Sequence, residues 1–348
     1  MTLKNRTRHF ILPSIAYLIL MIAGQTTFGQ EKKIEPGLDS QSQSFVSALA
    51  DNKGPGFHEM PPVEARKAFA GLTDLFGTGP EDLAVEDRKF GEVPVRVYKP
   101  KSISANNTLD TSTERTGLPV VVYFHGGGWV LGSIETHDAL CRRLCSESKA
   151  AIVSVEYRLA PEHPFPAPFD DCYSATKYVS DHAVQLGLDA NRVAVAGDSA
   201  GGNLAAAVAI KARNTKGPSL RAQVLLYPVI DSDCRSKTYT DYANGYGLTG
   251  ASMQWYWKQY VGDRESQVLA SPSKAKSLVG LPETIIITAQ YDVLREEGET
   301  FAKRLQDNGV KVAHRRYDGV IHGFVHFAGA FDQGKKAITD IEIGRAHV

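Results

Sequence analysis

The stretch from Arg192 to Ile210 constrains this chain more than any other. Arg192-Val193-Ala194-Val195-Ala196 is apolar, partly β-branched and of strand length, whereas Asn203-Leu204-Ala205-Ala206-Ala207-Val208-Ala209-Ile210 has helical composition and apolar faces. Between them lies Gly197-Asp198-Ser199-Ala200-Gly201-Gly202. A serine on so tight a strand-to-helix turn has its hydroxyl pushed out at the top of the sheet. Glycines at 197 and 201 suit that turn, because Cβ atoms there would collide with the neighbouring strand and helix. The helix start behind Ser199 also leaves backbone N–H groups free to face a developing negative charge. Strand, G-x-S-x-G turn and helix together make Ser199 a candidate nucleophile rather than an incidental serine in a glycine-rich turn.

A second glycine-rich segment fits the same chemistry. Leu118-Pro119-Val120-Val121-Val122-Tyr123-Phe124 reads as a buried strand and runs into His125-Gly126-Gly127-Gly128-Trp129. Three consecutive glycines after a core strand are costly in conformational entropy. Acyl transfer gives them a use, since two backbone N–H groups must point at a carbonyl oxygen that becomes an oxyanion. A phosphate loop is the alternative, but the Lys-Ser/Thr of a P-loop is absent. The dinucleotide pattern G-x-G-x-x-G fails as well: counted from Gly126 and Gly128, its last glycine falls on Leu131.

With Glu156-Tyr-Arg-Leu-Ala-Pro-Glu-His163, Tyr291-Asp-Val-Leu-Arg-Glu-Glu-Gly298 and Ile321-His-Gly-Phe324, these motifs stand in an order that resembles one family. The chain is similar to the hormone-sensitive-lipase-like, or bacterial family IV, carboxylesterases of the α/β-hydrolase superfamily, over about residues 40 to 340. The resemblance implies an α/β fold with a mostly parallel central sheet, flanking helices and a helical cap. It also implies hydrolysis of short- to medium-chain acyl esters with no cofactor, a small-molecule ester as partner, and leaves a homodimer open.

In this fold the chain order is nucleophile, acid, histidine, each on a loop at a strand's C-terminal end. After Ser199 three histidines compete. His314 lies inside the strand-like Val310–Tyr317, and His326 falls one turn into an expected helix, so both read as structural. His322 follows a turn after that strand and precedes Gly323, where a loop imidazole can swing over the serine. For the acid, Asp292 follows the apolar strand Thr284–Gln290, while Asp318 sits on the same expected loop as His322. A carboxylate that orients an imidazole usually arrives from a neighbouring loop, which favours Asp292. The family usually carries proline where this chain has Val293, a difference in turn stiffness rather than chemistry. The N–H groups of Gly126, Gly127, Gly128 and Ala200 are the oxyanion candidates, and the sequence leaves open which of the glycines matter most.

Lysine plus arginine equals aspartate plus glutamate at 39 each, so no basic surface argues for nucleic acid. Neither H-E-x-x-H nor a Cys/His ligand spacing appears, which argues against a metal hydrolase. The N-terminus has Lys4, Arg6 and Arg8 ahead of an apolar run from Phe10 to Ala23, too short for a comfortable membrane span. Thr27-Phe28-Gly29 supplies small residues for cleavage before Gln30, so residues 1–29 read as an export signal, with a periplasmic or secreted destination. The four cysteines, Cys141, Cys145, Cys172 and Cys234, form no disulfide framework; buried thiols are expected, with one incidental bridge left open.

Residues 30–80 carry amphipathic patches at Phe45-Val46 with Leu49, and at Ala65 with Phe69 and Leu72, and read as the N-terminal part of the cap. Residues 81–342 form the catalytic domain, opened by an antiparallel pair at 83–86 and 93–98. Residues 101–117 are rich in Ser, Thr and Asn and read as a mobile loop. A cap insertion at about 235–265 is crowded with aromatic residues. From it, Met253, Trp255 and Trp257 are candidate pocket residues, with Trp129 from the glycine loop. The chain ends in Ile343-Gly-Arg-Ala-His-Val348, which reads as translated adapter sequence, a non-native tail on a truncated frame. Two other readings stay open: an acyl-amide hydrolase, and a non-catalytic small-molecule receptor, which the presence of His322 disfavours.

Overall fold

The computed structural model describes residues 37–52, 54–101, 117–262 and 267–341. The export signal read at 1–29, nearly all of the polar loop, and the tail at 343–348 lie outside them. Among the described residues the strands are β1 Leu83–Phe90, β2 Val93–Pro100, β3 Leu118–Phe124, β4 Ala151–Val155, β5 Leu188–Asp198, β6 Ala222–Leu226, β7 Glu283–Tyr291 and β8 Val312–Ile321. They form one sheet in the order β1-β2-β4-β3-β5-β6-β7-β8. The first two strands pair antiparallel, as expected, and β2 also pairs antiparallel with β4; every other pairing is parallel. Every residue of β4 and β6 is buried, which explains their unbroken apolar runs: a parallel strand covered by helices on both faces has no polar side.

Strand order decides where a site can form. The chain leaves β3 to one side for β4 and returns to its other side for β5, so a crevice opens beyond the C-terminal ends of β3 and β5. The two glycine-rich segments lie at those ends. Around them pack α4 Ile134–Ser148, α5 Ala167–Asp181, α6 Ala200–Thr215, α9 Arg295–Asp307 and α10 Asp332–Asp340, with the cap helices α1 Ser40–Asp51, α2 Pro62–Ala70, α3 Thr73–Phe76, α7 Lys237–Asp241 and α8 Gly250–Val261. Helix α6 is buried from Ala200 through Ile210, and its small side chains let it lie close on the sheet. Contact is closest at Gly201, where a Cβ would overlap the Phe124 carbonyl oxygen.

Two expectations are corrected here. Asp318 lies within β8, not on a loop, because the strand runs on to Ile321. Residues 322–330 form successive turns, and the helix expected around His326 begins only at Asp332. The cysteines follow expectation: Cys141, Cys145 and Cys172 are buried free thiols, and Cys234 is a half-buried one.

The N-terminal cap is attached at defined points. Asp39 caps α1 by accepting the Ser42 N–H at 2.7 Å, and Phe45 packs on Phe327 and Phe331. Arg66 on α2 donates to the carbonyls of Val130 and Ala160 and forms a forked pair with Glu162. The cap is thereby tied to the chain just beyond the Gly126–Trp129 loop. Hydrogen bonds from Arg66 hold the Glu162 carboxyl down at about 2, from an ordinary value of 4.5. A lowered folded pKa means this contribution is complete above the unfolded value and fades as pH falls from there towards about 2. Glu162 is half exposed, so its share is modest, at most about 1 kcal/mol. Hydrogen exchange in α2 is therefore expected to be up to about fivefold faster in Glu162→Gln than in wild type at neutral pH. The two should converge in acid, and a difference that persists there would contradict the assignment.

Candidate active site

Ser199 sits at the turn from β5 into α6 with φ 56° and ψ −117°, a conformation rare for a residue with a side chain. Three backbone bonds hold it there. Its N–H donates to the Leu226 carbonyl at 2.8 Å, and its carbonyl accepts from Asn203 and Val229, each at 3.1 Å. The hydroxyl is thereby lifted towards His322, whose Nε2 lies 3.0 Å from Oγ. On the other side of the ring, Nδ1 lies 2.7 Å from Asp292 Oδ2. Asp292 is 1% exposed, and its Oδ1 accepts the Leu294 N–H at 2.9 Å, which fixes the carboxylate. With Nδ1–H donating to Asp292, Nε2 is left to accept from the serine. Tyr227 packs edge-on against the His322 ring, centroids 4.8 Å apart. Ser199, Asp292 and His322, widely separated in sequence, are thus brought into one hydrogen-bonded row.

The competing residues are occupied elsewhere. Asp318 pairs with Arg316 at 2.7 Å, and His314 meets Thr288 at 3.0 Å on the outer strands. His326 is buried, bonds the Thr136 carbonyl at 2.8 Å and stacks on His137. Burial lowers its pKa to about 3, and that of His125 to about 3 as well. His125, the first residue of the glycine motif, stacks on Tyr157, whose hydroxyl donates to the His125 carbonyl at 2.7 Å. It is a packing residue of the loop.

The oxyanion candidates separate. Gly127 and Gly128 line the cavity with Ser199 and His322, and Ala200 opens α6 directly behind the serine. Among the described residues no acceptor engages the N–H groups of these three. Gly126 departs from the expectation. Its N–H donates to Asp198 Oδ1 at 2.9 Å and is not free for a substrate. Residue 126 must still be glycine, because a Cβ there would overlap the Asp198 carboxylate. Burial alone would raise the Asp198 pKa, but His137 beside it and the Tyr123 hydroxyl hold its carboxyl well below the usual range. His137, Asp198 and His326 come close together, yet the two imidazoles are parallel within 4° at 3.8 Å. Lone pairs in parallel ring planes do not converge on one ion at about 2.1 Å from each nitrogen, so this cluster reads as a packed polar core.

Above the serine lies a cavity of about 350 Å³, walled by Phe45, Leu49, Phe57, Phe69 and Leu72 from the N-terminal cap and by Met253 and Tyr256 from α8. Of the expected pocket residues only Met253 lines it. Trp129 is fully buried and stacks on Tyr260 at 4.2 Å, Trp257 packs against Trp129 at 4.6 Å, and Trp255 lies edge-on to Tyr256 at 5.1 Å, outside the cavity lining. Helical spacing puts Met253, Tyr256, Trp257 and Tyr260 on one broad buried face. Only the placement of α8 over Ser199 divides cavity residues from core residues, so Tyr256 was one ring among several in the sequence. On the cap side, Asn52, His58, Thr249 and Ser252 interrupt the apolar wall, and His58 Nδ1 meets Ser252 Oγ at 3.1 Å, joining the two cap segments.

A sheet with a serine on a strand-to-helix elbow, hydrogen-bonded to a histidine and an acid from later segments, defines an α/β-hydrolase, and residues 121–326 match the family model described as the alpha/beta hydrolase fold. The chain belongs to that family. Within it, the chain is 39% identical over 257 residues to carboxylesterase NlhH of Mycobacterium tuberculosis, covering 71% of this chain and 77% of the relative. It is 40% identical over 237 residues to an arylesterase of Saccharolobus solfataricus, covering 67% and 73%. The crystal structure of a thermostable esterase from Pseudomonas putida superposes with a TM-score of 0.81 at 36% identity, covering 89% of this chain and 97% of that one.

The row of contacts ranks two carboxylates sharply. Asp292→Asn is expected to lower kcat on the order of 10⁴-fold by favouring the wrong imidazole tautomer, and Asp318→Asn to leave it nearly unchanged. Steady-state kinetics on both variants checks this, and the reverse ranking would reassign the acid.

Proposed function

We infer that this chain is a carboxylic ester hydrolase of the serine esterase type, and we propose that it cleaves short- to medium-chain acyl esters through an acyl-enzyme. The observation that carries the reading is the row Ser199–His322–Asp292, at 3.0 and 2.7 Å, beneath an apolar cavity bordered by unengaged backbone donors. In the proposed mechanism His322 Nε2 takes the Ser199 proton as Oγ attacks the ester carbonyl carbon. Asp292 accepts a hydrogen bond from Nδ1–H and stabilises the imidazolium without itself being protonated. The N–H groups of Gly127, Gly128 and Ala200 receive the oxyanion. Collapse of the tetrahedral species breaks the bond to the alcohol oxygen, and His322 returns its proton to that leaving group. Water then repeats the sequence on the acyl-enzyme, releasing the acid and restoring the Ser199 hydroxyl.

Names of the relatives support ester chemistry, and the cavity supports a chain-length limit. Each buried methylene of an acyl chain gains roughly 0.8 kcal/mol until the chain meets a wall, after which it gains nothing or clashes. Phe45, Leu49, Phe69 and Leu72 are the cap residues suited to be that wall. Across p-nitrophenyl esters, kcat/KM is expected to rise from acetate to about butyrate or hexanoate and to fall beyond roughly ten carbons. Ser199→Ala, run alongside, should lose about 10⁴ or more in kcat while keeping its fold. A profile that keeps rising to palmitate would replace the esterase reading with a lipase one, and matched amides run in parallel test the acyl-amide alternative.

We also propose export, supported by the basic, apolar and small-residue pattern of residues 1–29. Among the described residues no helix is long and apolar enough to cross a membrane. Expressed in a bacterial host with its leader, the protein should be recovered outside the cytoplasm with Gln30 as its first residue; an intact Met1 would contradict this.

A further inference from the structure

Asp198 ends β5 one residue before Ser199 and is 3% exposed. Its Oδ1 accepts the Tyr123 hydroxyl at 2.6 Å and the Gly126 N–H at 2.9 Å, with His137 Nε2 at 3.4 Å. Gly126 immediately precedes Gly127 and Gly128, whose N–H groups border the cavity. One carboxylate, adjacent in the chain to the nucleophile, therefore grips the glycine loop at the residue adjacent to its free donors. The grip is close enough that Gly126 has no room for a side chain.

We propose that Asp198 is a positioning residue of the oxyanion hole, clamping Gly126 so that the Gly127 and Gly128 N–H groups keep a fixed place relative to Ser199 Oγ. This rests on the ester-hydrolase reading above. The loop needs such a clamp because three successive glycines have little conformational preference of their own. Hydrogen bonds to an ionised acceptor are roughly twice as strong as neutral ones, and the low pKa of Asp198 keeps that acceptor charged. The clamp acts on the transition state. A ground-state carbonyl asks little of the donors, whereas the oxyanion needs them at hydrogen-bond distance, so loosening them lowers kcat more than it weakens substrate binding.

The test uses Asp198→Asn and Tyr123→Phe, which keep side-chain shape while weakening the clamp. Each is assayed for kcat and KM on p-nitrophenyl butyrate and for inhibition by a trifluoromethyl ketone, which forms an oxyanionic hemiketal on a catalytic serine. For Asp198→Asn, kcat should fall by about 10²-fold with KM within about threefold, and ketone affinity should fall in parallel with kcat/KM. Tyr123→Phe should move the same quantities in the same direction by a smaller factor. A folded Asp198→Asn with kcat and ketone affinity within about threefold of wild type, or with its loss confined to KM, would overturn the proposal. If Asp198→Asn does not fold, Tyr123→Phe decides by the same comparison, and unchanged values overturn it. Ser199→Ala distinguishes the two readings: turnover retained there overturns the ester-hydrolase reading itself, whereas an essential Ser199 with an indifferent Asp198 overturns only the clamp.

Discussion

The backbone of Ser199 is the constraint on which the rest depends. A residue held in so sparsely populated a conformation costs of order 1–3 kcal/mol. The three hydrogen bonds made by its own N–H and carbonyl contribute about 0.5–1.5 kcal/mol each, enough to offset that cost but not to create the turn alone. The turn forms because β5 and α6 are both anchored over long buried lengths, with Gly201 lying against the end of β3. That same contact brings the glycine loop alongside the serine. Core packing, elbow and glycine loop are one construction, so a change in any of them is felt at the Ser199 hydroxyl.

The cap answers a different requirement. An open crevice would leave the Ser199–His322 bond in water, where hydrogen bonding to solvent competes and charge stabilisation is weak. Phe45, Phe69, Met253 and Tyr256 shield it with apolar surface, and the cap reaches that position through local ties: the Asp39 cap, the Phe45 ring contacts, the Arg66 fork and the His58–Ser252 bond. Most of these ties are partly exposed and individually weak; beneath them His322 is also partly exposed, and Asp292 is deeply buried.

What the sequence made legible follows from how local each feature is. The elbow, the glycine loop and the parallel strands announce themselves in contiguous residues, because strand period, turn glycines and helix composition act over a few positions. Asp292 and His322 were legible through chain order, and their distances to Ser199 and to one another were not. The hidden parts are those set by packing between distant segments. Nothing local shows that Gly126 is a glycine for the sake of Asp198, that Trp129 turns into the core against Tyr260, or that Tyr256 alone among its neighbouring rings faces the cavity. Asp318 reads as a loop residue in the sequence, yet β8 resumes pairing with β7 at Ile321 after a register shift that spans it.

The central claim is that Ser199 takes the acyl group from its substrate. Mixing the enzyme with a p-nitrophenyl ester, quenching in acid within the first turnover and mapping peptides by mass spectrometry tests it directly. The acyl mass should appear on Ser199 in wild type and be absent from Ser199→Ala. An acyl group found on another residue, or full turnover with no acylated peptide at any time, would contradict the account.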